Sequence, residues 1–274
     1  MNSVPFLARV EDYLGAWSYE PTRFLIQLEC LRGLDLVAHM RAAKAVPAQP
    51  TQRVGGSGKP QVAVVPVVGT LMKGQSSLGG SSTVALRQEI RALAADPAVS
   101  AIVLAIDSPG GTVAGTAALA ADIKAARRAK PVVAQIEDLG ASAAYWLASQ
   151  ATAVFANEKT ALVGSIGTLQ TVTDSSAAAE RDGVKVYRFA TGPLKGAGTA
   201  GTAVTEEMQR YFQGMVEAAQ VSFDAAVASG RSLSESRLAK VKTGGVFLAT
   251  EAQALGLIDG IQSLDRTVAE LSRR

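Results

Sequence analysis

Histidine is almost missing from this chain: one residue, His39, in 274, and it precedes every motif described below. A Ser-His-Asp triad needs an imidazole beside its serine. Any serine chemistry in the middle of the chain must therefore find its base elsewhere, and a desolvated lysine amine is the plausible substitute. Cysteine is equally scarce. Cys30 is the sole one, which excludes an intrachain disulfide. A nucleophilic thiol would also want a basic partner, and in Gln27-Leu28-Glu29-Cys30-Leu31 the residue reads as part of an apolar helix face. Charged residues make up 19%, below the usual quarter, and the net charge of +3 is too slight to argue for nucleic acid. The densest basic run, Lys124, Arg127, Arg128 and Lys130, falls at an expected helix end, where cations suit the dipole. No apolar run approaches ~18 residues, so no membrane span is expected. Glu11, Asp12 and Glu20 do not suit a secretory signal. These absences lead us to expect a soluble protein of the cytoplasm, with neither a nucleic-acid partner nor a membrane anchor.

What is abundant is Ala, Val and Gly, within 48% hydrophobic residues: enough for one substantial core of close-packed small side chains. Residues 1–43 read as a helical N-terminal segment. Residues 44–60, rich in proline, glycine and polar residues, read as a flexible linker. From residue 61 to 274, short continuous apolar strands alternate with helices. Strands are expected at Val62–Val68, Ala101–Ile106, Pro131–Ile136, Ala153–Ala156, Leu162–Ile166 and Val184–Phe189, with Pro66 marking an edge or irregularity. Helices are expected at Thr83–Ala95, Val113–Ala129, Ala141–Gln150, Asp174–Arg181 and Val204–Ser229, the last opening with Thr205-Glu206-Glu207. This is the pattern of βαβ units around a parallel sheet buried on both faces. The fold class is α/β.

Three stretches could carry chemistry. Asp107-Ser108-Pro109-Gly110-Gly111 closes an apolar strand, and its glycines let backbone approach a ligand closely; they serve a plain strand-to-helix turn equally well. Gly140-Ala141-Ser142-Ala143-Ala144-Tyr145-Trp146 is a small-residue turn entering an apolar helix, where free amides face any developing anion. A simple N-cap explains a serine there too. Ser149, deeper in the same helix, is a weaker nucleophile because a mid-helix hydroxyl bonds its own turn. Thr191-Gly192-Pro193-Leu194-Lys195-Gly196-Ala197-Gly198 follows an expected strand, and the ends of parallel strands are where α/β proteins build sites. A lysine in such a loop is otherwise an ordinary solvated charge. With no Gly-Lys-Ser/Thr, a phosphate-binding loop is excluded.

Taken in order with Leu162-Val163-Gly164-Ser165-Ile166-Gly167 and Ala252-Gln253-Ala254-Leu255-Gly256-Leu257-Ile258-Asp259, these stretches resemble the signal peptide peptidase A family of serine–lysine peptidases. More closely they resemble its phage relatives, the prohead proteases of the minor capsid protein C type. The likeness spans about residues 61–262. It implies a Clp/crotonase-like fold and a serine endopeptidase with a Ser-Lys dyad. Ser142 falls on the family's nucleophile, Lys195 on its general base, and Ser165 on a serine that helps orient the amine. Gly110 and Gly111 fall on the oxyanion turn, with the Ala143 amide as second donor. The resemblance implies no cofactor and no metal. It implies a polypeptide substrate such as a scaffold, capsid or portal protein, and a location in host cytoplasm or procapsid interior. A homo-oligomeric ring is expected from the resemblance and from the apolar content of the Val204–Ser229 helix.

Three rival readings stand beside this one. A crotonase-type acyl-CoA hydratase or isomerase would work with carboxylates, here Asp107, Glu137 and Asp138. A Clp-type triad protease is opposed by the missing downstream histidine. A non-catalytic capsid assembly factor would keep the fold without the chemistry, against which the presence of both Ser142 and Lys195 counts.

Overall fold

The computed structural model describes residues 17–20, 38, 49–56, 60–76 and 79–273. The expectations for His39, for Cys30 and for most of the helical segment over 1–43 fall outside them. The elements begin with β1 (Trp17–Tyr19), β2 (Gln52–Val54), β3 (Gln61–Val68), β4 (Leu71–Met72), β5 (Ser81–Ser82), α1 (Thr83–Ala95) and β6 (Val99–Ser108). Next come β7 (Gly110–Thr112), α2 (Thr116–Ala129), β8 (Val132–Ala141), α3 (Ala143–Ala148), β9 (Ala153–Ala156), β10 (Leu162–Gly164) and α4 (Ser176–Arg181). The chain closes with α5 (Glu206–Arg231), α6 (Glu235–Val241), β11 (Val246–Leu248), α7 (Ala249–Ala254), β12 (Gly260–Ile261) and α8 (Leu264–Leu271).

The main sheet runs β11-β10-β8-β6-β3-β2, with β9 on the first half of β8 and β12 beyond it. Its centre, β3-β6-β8, is parallel throughout. The mostly parallel α/β architecture expected from the sequence is present. Residues alternate across each strand. Val65, Val67, Ile102, Leu104, Ile106, Ala134 and Ile136 face the larger core, to which α1, α2, α3 and α5 contribute. Val62, Val64, Val103, Ala105 and Val133 face the other side, where Val268 and Leu271 of α8 cover them. Trp146 of α3 stacks on Phe223 of α5, ring centroids 4.8 Å apart and 7° from parallel. That contact fixes the helix behind Ser142. Four helices start where short polar side chains cap them: Ser82, Thr205, Ser234 and Ser263 each accept an amide of the first turn.

Pro66 is tolerated because β2 pairs only with Val62–Val64, leaving β3 an open edge at the proline. Within 44–60, Gln52–Val54 forms that antiparallel edge strand rather than plain linker. The expected strand Val184–Phe189 is a correction: residues 184–190 form no regular structure. No strand among the described residues pairs with them. Val184, Val186, Tyr187 and Phe189 stay exposed, Phe189 to 95%. β-branched and aromatic residues favour a strand only when an edge and a face are there to receive them.

A second, four-stranded sheet runs β1-β7-β4-β5. In it β1 lies antiparallel to β7, pairing Trp17 with Thr112, Ser18 with Gly111 and Tyr19 with Gly110.

Candidate active site

Register brings two of the three motifs together. β6 and β8 run parallel to Ile106 and Ile136, shift by an irregularity, and resume with Ser108 opposite Gly140. The turn after Ser108 and the turn after Gly140 therefore leave the same end of the sheet side by side. Ser108 is wholly buried. Its hydroxyl donates to the Gly69 carbonyl at 2.6 Å and accepts the Gly110 amide at 3.2 Å. One side chain thus shapes the turn that presents Gly110 and Gly111. Gly110 has φ +103°, and a Cβ at Gly111 would fall 1.9 Å from the Leu71 carbonyl oxygen. Glycine is required at both, the first for conformation and the second for space.

Ser142 joins β8 to α3 with φ 56° and ψ −120°. It is wholly buried. Its amide donates to the Gly164 carbonyl at 2.7 Å, its carbonyl accepts the Trp146 amide at 2.8 Å, and its hydroxyl donates to the Gly167 carbonyl at 3.4 Å. That last bond is long for a hydroxyl and weak. Ala143, first in α3, carries an amide that the helix itself cannot use. Ser149 bonds the Trp146 carbonyl at 2.7 Å within its own helix, the ordinary fate of a mid-helix hydroxyl.

Ser165 lies against Ser142. β10 runs parallel to the end of β8, with Gly164 opposite Ala141, so the peptide bonded by the Ser142 amide leads directly into Ser165. Ser165 has φ 49° and is 2% exposed. Its amide donates to the Gly245 carbonyl at 2.7 Å. Among the described residues only Ser142, Ser165 and Ser232 combine a side chain with positive φ, and two of the three meet here. Strained backbone of this kind persists where its surroundings over-determine it and concentrates at functional sites.

Lys195 is not brought to these serines. It lies exposed in the turns following residue 190, where its amide donates to the Gly192 carbonyl at 3.1 Å. No hydrogen bond among the described residues joins it to Ser142 or Ser165. The carboxylates of the acyl-CoA reading cluster at the same end of β6 and β8. Burial, then the neighbouring charges of Asp107 and Asp138, push the Glu137 carboxyl above its ordinary range.

Sequence reasoning missed two features. The Gly167 carbonyl is a partner of Ser142, although Gly-Ser-Ile-Gly had drawn attention only to Ser165. The strand Trp17–Tyr19 also reaches this site: Trp17 exchanges two 2.8 Å backbone hydrogen bonds with Leu169, and the Glu20 amide donates to the Pro109 carbonyl at 2.7 Å. No local signal announces a contact made across so many residues.

Residues 124–274 match the model of Peptidase family S49. Protease 4 of Salmonella typhi is 31% identical over 210 residues, spanning 76% of this chain and 34% of that protein. Capsid assembly protease C of Escherichia phage lambda is 31% identical over 202 residues, spanning 72% of this chain and 46% of that protein. The chain thus spans less than half the length of these two relatives. A solved enoyl-CoA hydratase/isomerase family member is 18% identical, with a TM-score of 0.46 over 84% of this chain and 77% of that one. No helix among the described residues is long and apolar enough to cross a membrane.

Proposed function

The chain belongs to peptidase family S49, and from that premise we propose that it is a serine endopeptidase whose nucleophile is Ser142 and whose general base is Lys195. The observation that carries this reading is the strained, buried Ser142 between the Gly110–Gly111 turn and the Gly164–Ser165 turn. In the proposed reaction the Lys195 amine takes the Ser142 proton as the hydroxyl oxygen attacks the scissile carbonyl. The Ala143 amide, together with the Gly110 amide once it exchanges its bond to the Ser108 hydroxyl for one to the substrate, stabilises the tetrahedral oxyanion. The leaving amine departs protonated, and water then hydrolyses the acyl-enzyme. Ser165 orients the amine.

A base must be desolvated to be neutral at ordinary pH, and Lys195 is exposed in the single chain. Assembly into a homo-oligomeric ring would supply the missing burial. The exposed Val184, Val186, Tyr187 and Phe189 in the neighbouring stretch are an apolar surface of the kind a partner covers. Met208 and Phe223 of α5, by contrast, are buried against the chain's own core. The likeness to a phage capsid assembly protease supports a scaffold, capsid or portal protein as substrate, cut in host cytoplasm or procapsid interior.

The test is labelling by a fluorophosphonate serine probe together with cleavage of a candidate capsid or scaffold protein. Ser142→Ala should lose both while remaining folded. Lys195→Arg should be as inactive as Lys195→Ala, because a guanidinium stays protonated. An active Lys195→Arg variant removes the dyad. Thioester turnover without peptide cleavage would select the acyl-CoA hydratase/isomerase reading, and a folded protein that no serine probe labels would select a non-catalytic assembly factor.

A further inference from the structure

We infer that the slot between Gly110–Thr112 and Leu169 is the peptide-binding groove of this site, and that the chain's own strand Trp17–Tyr19 lies in it in place of substrate. The inference rests on the proposed role of Ser142. Both walls of the slot flank that serine. One is β7, which continues the turn held beside Gly140. The other begins two residues after Gly167, whose carbonyl takes the Ser142 hydroxyl.

The inserted strand uses the walls as an extended peptide would. Trp17 bonds Leu169 through both of its backbone groups, and Glu20 bonds Pro109 on the opposite wall. Because hydrogen-bonded pairs alternate along an antiparallel ladder, the pairing of Glu20 with Pro109 makes Ser18 and Gly111 the next pair that bonds. The segment therefore engages backbone on both sides, the mode of recognition by strand addition. Its side chains fill matching space: Trp17 is 3% and Tyr19 4% exposed, packed with Met72 and Leu169. Their rings meet edge-on, centroids 5.6 Å apart. The Tyr19 hydroxyl is 2.9 Å from the Thr70 hydroxyl. This aromatic pair forms its own cluster, apart from the two cores that hold the main sheet.

Two consequences follow. The groove is built for an extended peptide with large apolar side chains at alternate positions, and the segment competes with such a peptide for Ser142. Full-length Trp17→Ala/Tyr19→Ala, and separately Ser18→Pro, which deletes the amide facing Gly111, should label with the fluorophosphonate probe about tenfold faster than wild type, as the open population rises. A synthetic peptide of residues 14–22 should then inhibit the released variants by raising KM at unchanged kcat. The same peptide with both aromatics replaced by alanine should not. Hydrogen exchange at Gly111 and Leu169 reports whether the strand has left. If those amides open while labelling stays at the wild-type rate and still requires Ser142, the groove inference fails alone. If labelling persists in Ser142→Ala, the catalytic reading fails instead.

Discussion

Ser142→Gly and Ser142→Ala should both be inactive, yet differ in stability in a way that isolates the strain at this residue. Neither variant has the hydroxyl, so the comparison removes only a Cβ. At an ordinary buried site, changing Ala to Gly costs about 0.4–1 kcal/mol of extra unfolded-chain entropy and about 0.8 kcal/mol of lost burial. At Ser142 the φ of 56° and ψ of −120° cost a residue with a Cβ about 1–3 kcal/mol, and glycine avoids that cost. The two sets of terms nearly cancel, with a small net gain of about 0.5 kcal/mol at mid-range. Ala144→Gly, equally buried at the second position of α3, should show the full loss without compensation. Denaturant unfolding of all three variants checks this, since a stability change appears as a shifted midpoint at constant slope. If Ser142→Gly lies more than about 1.5 kcal/mol below Ser142→Ala, matching the Ala144 control, the backbone at Ser142 is not strained and its assignment as a forced, functional turn is wrong.

The Gly111→Ala substitution would set a methyl 1.9 Å from a backbone oxygen of Leu71. That oxygen cannot swing aside, so β7 should shift, with a loss of about 1–3 kcal/mol and of probe labelling. Gly214→Ala in α5, where nothing lies within 4 Å, should be neutral or stabilising by comparison; similar effects from both would refute the close approach. Acid stability tests the clamp that holds the end of the sheet, where Arg231 meets Asp259 at 2.8 and 3.0 Å. Burial opposes the Asp259 charge, but the Arg231 hydrogen bonds outweigh it and hold the carboxyl below its ordinary range. A depressed carboxylate stabilises the fold above its unfolded pKa of about 4 and loses that contribution as pH falls through the lower folded value. Asp259→Asn should accordingly be less stable at pH 7 and unfold less steeply with acid, as read by circular dichroism; a titration matching wild type would contradict it. Light scattering at micromolar concentration should give an oligomer in active protein and a smaller species in Phe189→Asp. A fully active monomer would remove assembly from the mechanism.

Much of this protein was legible along the chain because local chemistry decides it. Alternating apolar strands and helices placed the α/β class, Thr205 with Glu206 and Glu207 placed the start of α5, and the order of the five motifs placed the family. Each depends on residues a few positions apart. What lay beyond the sequence depends on partners far away in it. Val184–Phe189 has the composition of a strand, yet no sheet edge receives it. Residues 52–54 look like linker, yet find an open edge on β3. The left-handed backbone of Ser142 and Ser165 arises where β8 and β10 pair and exchange an amide, a constraint that no serine propensity encodes. Trp17–Tyr19 carries two strand-favouring aromatics, but three residues are too few to announce a strand, and the facing walls of β7 and Leu169 make it one. Local preferences amount to less than about 1 kcal/mol per residue, so wherever a long-range pair or a burial contact competes, the tertiary structure decides.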